Sequence, residues 1–182
     1  LVNVGVSIRE KVKQDRDLMK NDFGGSVPLI KSRVHDIDKV KTFNSSTTFH
    51  SDHSYLIEEV SGTATIPELD DGRTIVIKKI PPGATLRITG NDGTIVVQRN
   101  EGTIVIKDND DILNIDENRG TVTIDQNDDT IIIHENGNPK TQGGLPGLVD
   151  INSNGHNSPG TDIVRVYDNY GTVQINQNPH GN

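Results

Sequence analysis

Apolar residues along this chain recur as pairs spaced by two, and the pairs recur every nine residues. Five such units follow one another without a gap from Gly93 to Gly137. The third and fifth positions of each unit are apolar and mostly β-branched, a pattern typical of a short strand with one buried face. We therefore expect the paired positions to point inward (Ile104, Ile106, Leu113, Ile115, Val122, Ile124, Ile131, Ile133) and the fourth positions to point outward (Val105, Asn114, Thr123).

The repeat continues on both sides of these five units. Further copies fit at 84–92, 147–155, 162–170 and 171–179, with weaker ones at 62–70 and 73–81, whereas 138–146 loses the pattern. The repeat region is therefore predicted to span residues 61–182.

Polar residues at the unit boundaries are as regular as the apolar pairs. The eighth position recurs as Asn (Asn91, Asn100, Asn109, Asn118, Asn127, Asn136, Asn154, Asn169, Asn178). Because Asn tolerates a left-handed backbone and hydrogen-bonds its own turn, we expect a ladder of Asn side chains in left-handed or turn conformations. Glycine at the first position (Gly93, Gly102, Gly120, Gly171) is expected to supply a positive φ at the corner.

A strand followed by a corner, repeated many times, fits two architectures. An antiparallel meander would leave one Ile/Val face uncovered, whereas a β-solenoid with two units per coil buries both faces against each other. The sequence therefore favours an all-β solenoid with an eighteen-residue coil. The meander, a triangular coil of three units and an intertwined trimeric β-helix remain as alternatives.

The N-terminal residues 1–60 do not follow the repeat. Ser7-Ile8-Arg9-Glu10 matches a capping box, and Ile8, Val12 and Met19 lie on one helical face, so a helix is predicted over 7–22. We expect the segment 1–60 to form an arm or a cap. It would either cover the end of its own solenoid or dock to a neighbouring subunit.

Composition narrows the class of protein. Hydrophobic residues make up only 31% of the chain and the net charge is −8, values that would suggest disorder if the apolar residues were not so regularly spaced. The acidic balance disfavours nucleic acid, which requires clustered Lys and Arg. The absence of Cys excludes disulfides and Cys–Zn sites, and no apolar run approaches the roughly 20 residues of a membrane helix. No catalytic motif is present, so we do not expect an enzyme.

Acidic corners are the most informative polar feature. With two units per coil, alternate corners stack, and the corners 89–93, 107–111 and 125–129 form one edge, here called the acidic edge. It carries seven carboxylates against Lys107, a formal charge of −6 (Asp92, Asp108, Asp110, Asp111, Asp125, Asp128, Asp129). The opposite edge, with corners 98–102, 116–120 and 134–138, carries only −2.

Carboxylates stacked about 4.8 Å apart repel one another unless a cation bridges them. Calcium is the cation that suits an irregular set of carboxylate oxygens, so these aspartates are candidate calcium ligands. The preferred interpretation of the sequence is that they only shape hydrated turns, and calcium binding is the alternative. The nine-residue period resembles that of the calcium-binding β-roll of secreted repeat toxins, but the Gly-Gly-x-Gly-x-Asp turn of that family is absent.

Two weaker candidates have simpler explanations. His50 and His53 could place two imidazoles near a metal, but no third ligand is identifiable, so a polar loop is preferred. The threonines at second positions (Thr94, Thr103, Thr121, Thr130) could form a glycan-facing or ice-facing array. Ile112 interrupts that array, and β-propensity explains the threonines better.

The function expected from these features is structural. Uniform rungs with polar turns suit an extracellular or cell-surface fibre, appendage subunit or adhesin that self-associates. A trimeric spike or fibre component of a phage or injection machine, and a carbohydrate-binding module with a glycan or cell-surface partner, are the alternatives. The last rung should expose Val173, Ile175 and an open strand edge, which the uncharged Leu1–Val6 stretch of a neighbour could pair with.

Overall fold

A computed structural model describes residues 37–137, 147–152 and 163–176. These residues form thirteen strands: β1 (Ile37–Phe43), β2 (Ser54–Val60), β3 (Thr63–Ile66), β4 (Thr74–Lys79), β5 (Thr85–Ile88), β6 (Thr94–Asn100), β7 (Thr103–Asn109), β8 (Leu113–Asn118), β9 (Thr121–Asn127), β10 (Thr130–Asn136), β11 (Leu148–Ile151), β12 (Ile163–Val166) and β13 (Thr172–Ile175). No helix occurs among the described residues, and the helix predicted over 7–22 lies outside them.

The strands form two parallel sheets. Sheet A has seven strands in the order β1-β2-β4-β6-β8-β10-β12, and sheet B has six in the order β3-β5-β7-β9-β11-β13. Successive nine-residue units therefore alternate between the sheets, and each coil of the solenoid contains two units, as predicted. The parallel pairing rules out the antiparallel meander, and the presence of only two sheets within the described ranges rules out the triangular coil. Each strand of the regular coils pairs with the strand two units further along the same chain, so these coils close without strands from a second chain.

The interior is a thin apolar core between the two sheets. The eight side chains predicted to point inward are all fully buried in it. Of the fourth positions, Val105 and Thr123 are half-buried on the outer side of sheet B. Asn114 lies between two inward-facing neighbours and therefore points outward as predicted, yet it is only 1% exposed.

The coil length is regular only in the middle of the solenoid. Ile95 pairs with Leu113 and Leu113 with Ile131, which gives the eighteen-residue coil. Earlier in sheet A, Ile75 pairs with Ile95, a longer coil, and later Ile131 pairs with Val164 across a large insertion.

Strands β1 and β2 lie within the segment predicted as a separate arm or cap over 1–60. Both pair with sheet A, so the solenoid begins no later than Ile37 and not at residue 61. The nine-residue pattern fails here because the coils are not eighteen residues long: Val40 pairs with Ile57, 17 residues on, and Tyr55 pairs with Ile75, 20 residues on.

Asparagine ladders run along both edges of the solenoid. On the acidic edge, Asn91 Nδ2 donates to Asn109 Oδ1 at 2.8 Å, and Asn109 Nδ2 donates to Asn127 Oδ1 at 2.7 Å. On the opposite edge, the 2.8 Å series runs Asn100, Asn118, Asn136 and Asn169. The ladder prediction is confirmed for these residues, and Asn154 and Asn178 lie outside the described ranges.

The backbone conformation predicted for the ladder is wrong. Asp168 is the only non-glycine residue with positive φ in the described part of the chain, so the asparagines close their strands in ordinary backbone conformations. Apart from Asn169, their side chains are buried, so the ladder hydrogen bonds explain the choice of Asn. Oδ1 also accepts from the backbone of its own corner, as in the bond from Gly120 N to Asn118 Oδ1 at 3.3 Å.

The corner glycines are also explained differently from the prediction. None of Gly93, Gly102, Gly120 and Gly171 has positive φ. A Cβ on Gly93 would instead lie 2.6 Å from the carbonyl oxygen of Arg73, and a Cβ on Gly120 would overlap the carbonyl oxygen of Gly102. Glycine is therefore required at these positions because each lies too close to the backbone of a stacked corner for a Cβ.

Replacing Asn118 with Ala should lower the free energy of unfolding by about 1–3 kcal/mol, because the buried amide groups of Asn100 and Asn136 each lose the hydrogen bond that they form with Asn118. Chemical denaturation followed by circular dichroism measures the loss. Asn152→Ala is the matched control, since Asn152 also bonds to a stacked Asn but at an exposed position. Equal stability of both variants would contradict a structural role for the buried ladder.

Replacing Gly120 with Ala should destabilise the protein by about 1–3 kcal/mol, because the new methyl group must push two stacked corners apart. The control is Gly90→Ala, whose Cβ would make only an ordinary contact, 3.7 Å from Glu68 Cγ. Thermal unfolding of the two variants separates close approach from a general intolerance of alanine at corners. A Gly120 variant as stable as the Gly90 variant would show that the corners have room to move.

Candidate functional site

The acidic edge brings together three of the seven predicted carboxylates. Ladder bonds stack Asn91, Asn109 and Asn127, so the corners that contain these residues stack as well. In those corners, carboxylate oxygens of Asp108, Asp110 and Asp128 lie within 4.8 Å of one another. Asp110 is exposed, and the other two are half-buried.

Two carboxyl groups of this edge have raised pKa values. The pKa of Asp110 is raised, first by burial and then by the negative charges of Asp108, Asp128 and Asp92. The pKa of Asp111 is raised by burial and by Asp129, Asp71 and Asp92, while a hydrogen bond from the Ile112 backbone lowers it. The edge therefore contains two neighbouring groups of carboxylates, one around Asp110 and one around Asp111.

The remaining predicted residues have separate surroundings. Asp129 accepts a 2.8 Å hydrogen bond from Thr130 Oγ1. Asp125 accepts from Asn152 Nδ2 at 3.1 Å, and the strand register places it beside Lys107. Asp125 therefore lies apart from the three-carboxylate group.

Asp71 is a member of the acidic edge that the sequence prediction missed. Its charge contributes to the raised pKa of Asp111. The residue lies one coil before the strict repeat, where the coil is longer than eighteen residues, so counting in nines does not reach it. An Asp-Asp-Gly corner at 70–72 was the available signal.

On the opposite edge, stacked carboxylates are paired with cationic side chains. Glu117 Oε2 lies 3.0 Å from both Arg99 Nε and Arg119 Nη2. Glu101 lies 3.8 Å from Lys79 Nζ and 3.8 Å from Arg99 Nε. The two edges share one backbone design, so their difference in charge comes from the corner side chains alone.

A group of three carboxylates offers only oxygen ligands, which suit a hard cation such as calcium. Exposed acidic groups of this kind also occur without an ion, as hydrated turns. The geometry is compatible with both, and a calcium site at the acidic edge stays a prediction.

The two weaker candidates have clear positions. His53 Nδ1 lies 2.8 Å from Asp38 Oδ2, and the rings of His50 and His53 are 5.1 Å apart beside Tyr55. Among the described residues these histidines belong to no group of three metal-binding side chains. The threonines predicted as an array are divided between the sheets, with Thr94 and Thr130 in sheet A and Thr103 and Thr121 in sheet B.

The two ends of the solenoid differ in apolar exposure. Near the N-terminal end, Phe49 stacks on Tyr55 at 4.8 Å and contacts Phe43 edge-on at 6.4 Å, and Phe43 and Tyr55 are buried. Toward the C-terminal end, large apolar side chains are more than a third exposed (Leu148, Ile163, Tyr167, Tyr170, Ile175).

Comparisons with protein-family models, with curated proteins and with solved structures found no match for this chain. The fold places it among the β-solenoid repeat proteins, with about six turns. Among the residues that the structure describes, there is no helix with the length and apolar character that crossing a membrane requires.

Replacing Asp110 with Asn should raise the melting temperature at neutral pH by a small amount, on the order of 1–3 °C, because it removes one of several repelling charges. The folded-state pKa is raised above 3.8, so the parent protein gains stability as the pH falls through that pKa. The advantage of the variant should therefore shrink toward pH 4. Thermal scans between pH 4 and 8, with Asp125→Asn as the control on the same edge, measure the effect.

The same variants test the predicted calcium site. If calcium binds the group around Asp110, millimolar calcium should raise the melting temperature of the parent and of Asp125→Asn but have a much smaller effect on Asp110→Asn. No calcium-dependent shift in the parent would favour hydrated turns.

Proposed function

We propose that this protein is a structural or interaction protein without catalytic activity, and that it assembles through the C-terminal end of its solenoid. Its setting is an extracellular fibre, appendage or adhesin. The observation that carries the proposal is the position of the exposed large apolar side chains in the described chain, which range from 36% for Leu148 to 54% for Tyr170 and all lie in the last turns.

The terminal strands add hydrogen-bonding capacity to this apolar surface. The backbone N–H groups of Thr172, in β13, and of Asn176, which follows it, donate toward the neighbouring strand β11, to the carbonyl oxygens of Gly147 and Ile151. Because backbone groups alternate in direction along a parallel strand, the N–H groups of Val173 and Ile175 point toward the open edge. Open edges of this kind pair readily with another chain.

The N-terminal end of the solenoid is less suited to association through apolar contacts than the C-terminal end. Its aromatic side chains pack on one another and close the first turns of the core. An association through the C-terminal ends of two copies would bury apolar surface on both, whereas a head-to-tail association would place that surface on strands β1 and β3. The uncharged Leu1–Val6 stretch of a neighbour is a third complement for the edge of β13.

Glycan binding is a second candidate function. The ring of Tyr167 stacks on His134 with centroids 5.2 Å apart and is 46% exposed. An exposed, oriented aromatic ring with a polar tip suits contact with the apolar face of a sugar. The trimeric spike alternative has no comparable observation in its favour and is distinguished by mass alone.

Replacing Ile175 with Pro should weaken self-association, because proline removes an N–H group that points toward the open edge and leaves the hydrogen bonds between β13 and β11 in place. Thr65→Pro is the matched control, since Thr65 is an exposed residue of the edge strand β3 at the other end of sheet B. Light scattering across a concentration series measures the mass of the parent and of both variants. A variant without residues 1–6 tests whether the N-terminal stretch of a neighbour pairs with the edge of β13.

Each pattern of results has one meaning. Dimers lost only in Ile175→Pro indicate contact between C-terminal ends, and polymers lost in both proline variants indicate head-to-tail assembly. Loss on deletion of residues 1–6 indicates pairing with the neighbour's N-terminus. A parent protein that stays monomeric at high concentration contradicts the proposal, and a stable trimer favours the spike.

A further inference from the structure

Sheet A has a second apolar cluster on its outer side, separate from the solenoid core. Leu56, Val76 and Val96 form it, and the partly buried Ile37 packs against them. These three residues occupy one column across neighbouring strands, which continues through Asn114 and Ile132. All five side chains point away from the core because the residues on either side of each point into it.

This outward column is buried. The exposed fractions are 4% for Leu56, 7% for Val76, 0% for Val96, 1% for Asn114 and 8% for Ile132. Neighbouring outward positions in the first strands, Ser54 and Thr74, are also only 1% and 4% exposed.

Sheet B shows how much shielding a column receives from its own neighbours. Its equivalent outward residues Val105 and Thr123 remain half-buried, and Thr65 and Arg87 are exposed. Lateral shielding within a sheet therefore does not produce the burial seen in sheet A. A further layer must lie over the column, and all thirteen described strands belong to the two sheets themselves.

We propose that the N-terminal segment, residues 1–36, is this layer and lies along the outer face of sheet A. The segment joins the described chain at Ile37, which is itself the edge of the apolar cluster. It contains the apolar residues that such a layer needs, with Ile8, Val12 and Met19 on one face of the helix predicted over 7–22.

The dimensions agree. The column from Leu56 to Ile132 crosses five strands, or about 19 Å at about 4.8 Å per step. A helix over 7–22 would be about 24 Å long. The chain from 23 to 36 can span up to about 46 Å, more than enough to return from either end of the column to Ile37.

A polar feature of the column also matches the segment. Both side-chain polar atoms of Asn114 are buried without a hydrogen-bond partner, between the apolar Val96 and Ile132. The predicted helix carries Asp15 between Val12 and Met19 on the same face. The last four members of the column, from Val76 to Ile132, therefore share the order apolar, apolar, polar, apolar with this helical face, and Asp15 is the group that would face Asn114.

The absence of cysteine in the chain allows a direct test by thiol labelling. In the full-length protein, Val96→Cys should react with a maleimide at least about tenfold more slowly than Val105→Cys on sheet B, as a covered site reacts only on local opening. Adding Val12→Asp and Met19→Asp should raise the labelling rate of Val96→Cys toward that of Val105→Cys. Ile115→Cys, in the core, should stay unreactive in both backgrounds and so reports that the solenoid is intact.

Equal labelling rates for Val96→Cys and Val105→Cys in the otherwise unchanged protein would overturn the proposal. Protection of the Val96→Cys thiol that disappears on dilution would assign the face to a second copy. Protection that survives the two Asp substitutions, with the Ile115→Cys thiol still unreactive, would also exclude the segment.

If the Asp variants unfold, the double variant with Val12→Cys and Val96→Cys decides. A short bis-maleimide should join these two thiols within one molecule, while Val12→Cys combined with Val105→Cys should not be joined. Failure to join the first pair would contradict the proposal.

Discussion

Close stacking of the corners is the constraint on which the rest of the solenoid depends. Parallel strands about 4.8 Å apart require each corner to lie directly on the one before it. The chain meets this requirement in two ways: glycine where a Cβ would strike the carbonyl oxygen below, as at Gly120, and a buried Asn whose amide bonds upward, downward and to its own corner. The thin Ile/Val core then contributes a few side chains per rung, which is sufficient only because every rung is held in register.

Once the corners are fixed, the surfaces of the solenoid can differ without disturbing its interior. One edge neutralises its charges through Glu117 and its two arginine neighbours, whereas the acidic edge leaves Asp110 and Asp111 with raised pKa values. The faces differ as well: sheet B keeps a polar outer column, and sheet A has a buried apolar one. If the N-terminal segment covers sheet A, then sheet B, the edges and the C-terminal end are the surfaces left for partners.

The middle of the fold was predictable because its signal repeats. The alternation of Ile104 and Ile106 with Val105 defines one buried face, and its recurrence every nine residues defines the coil. Prediction failed where a residue type has more than one physical use. Asn118 and Gly120 suggested left-handed turns, but Asn118 forms a buried amide bond and Gly120 allows close contact, both of which depend on a neighbouring coil. Strands β1 and β2 escaped prediction because their coils do not keep the nine-residue spacing.

By itself, the sequence determined the period, the strand of each regular unit, the inward residues and the uneven distribution of charge, because all of these follow from local alternation and spacing. Only the tertiary structure decided which residues of different coils meet. It selected Asp108, Asp110 and Asp128 from seven candidate carboxylates, divided the threonines between two sheets and showed that the outward column of sheet A is buried. These outcomes depend on contacts between residues eighteen or more positions apart, and on insertions that change the spacing, which no local pattern encodes.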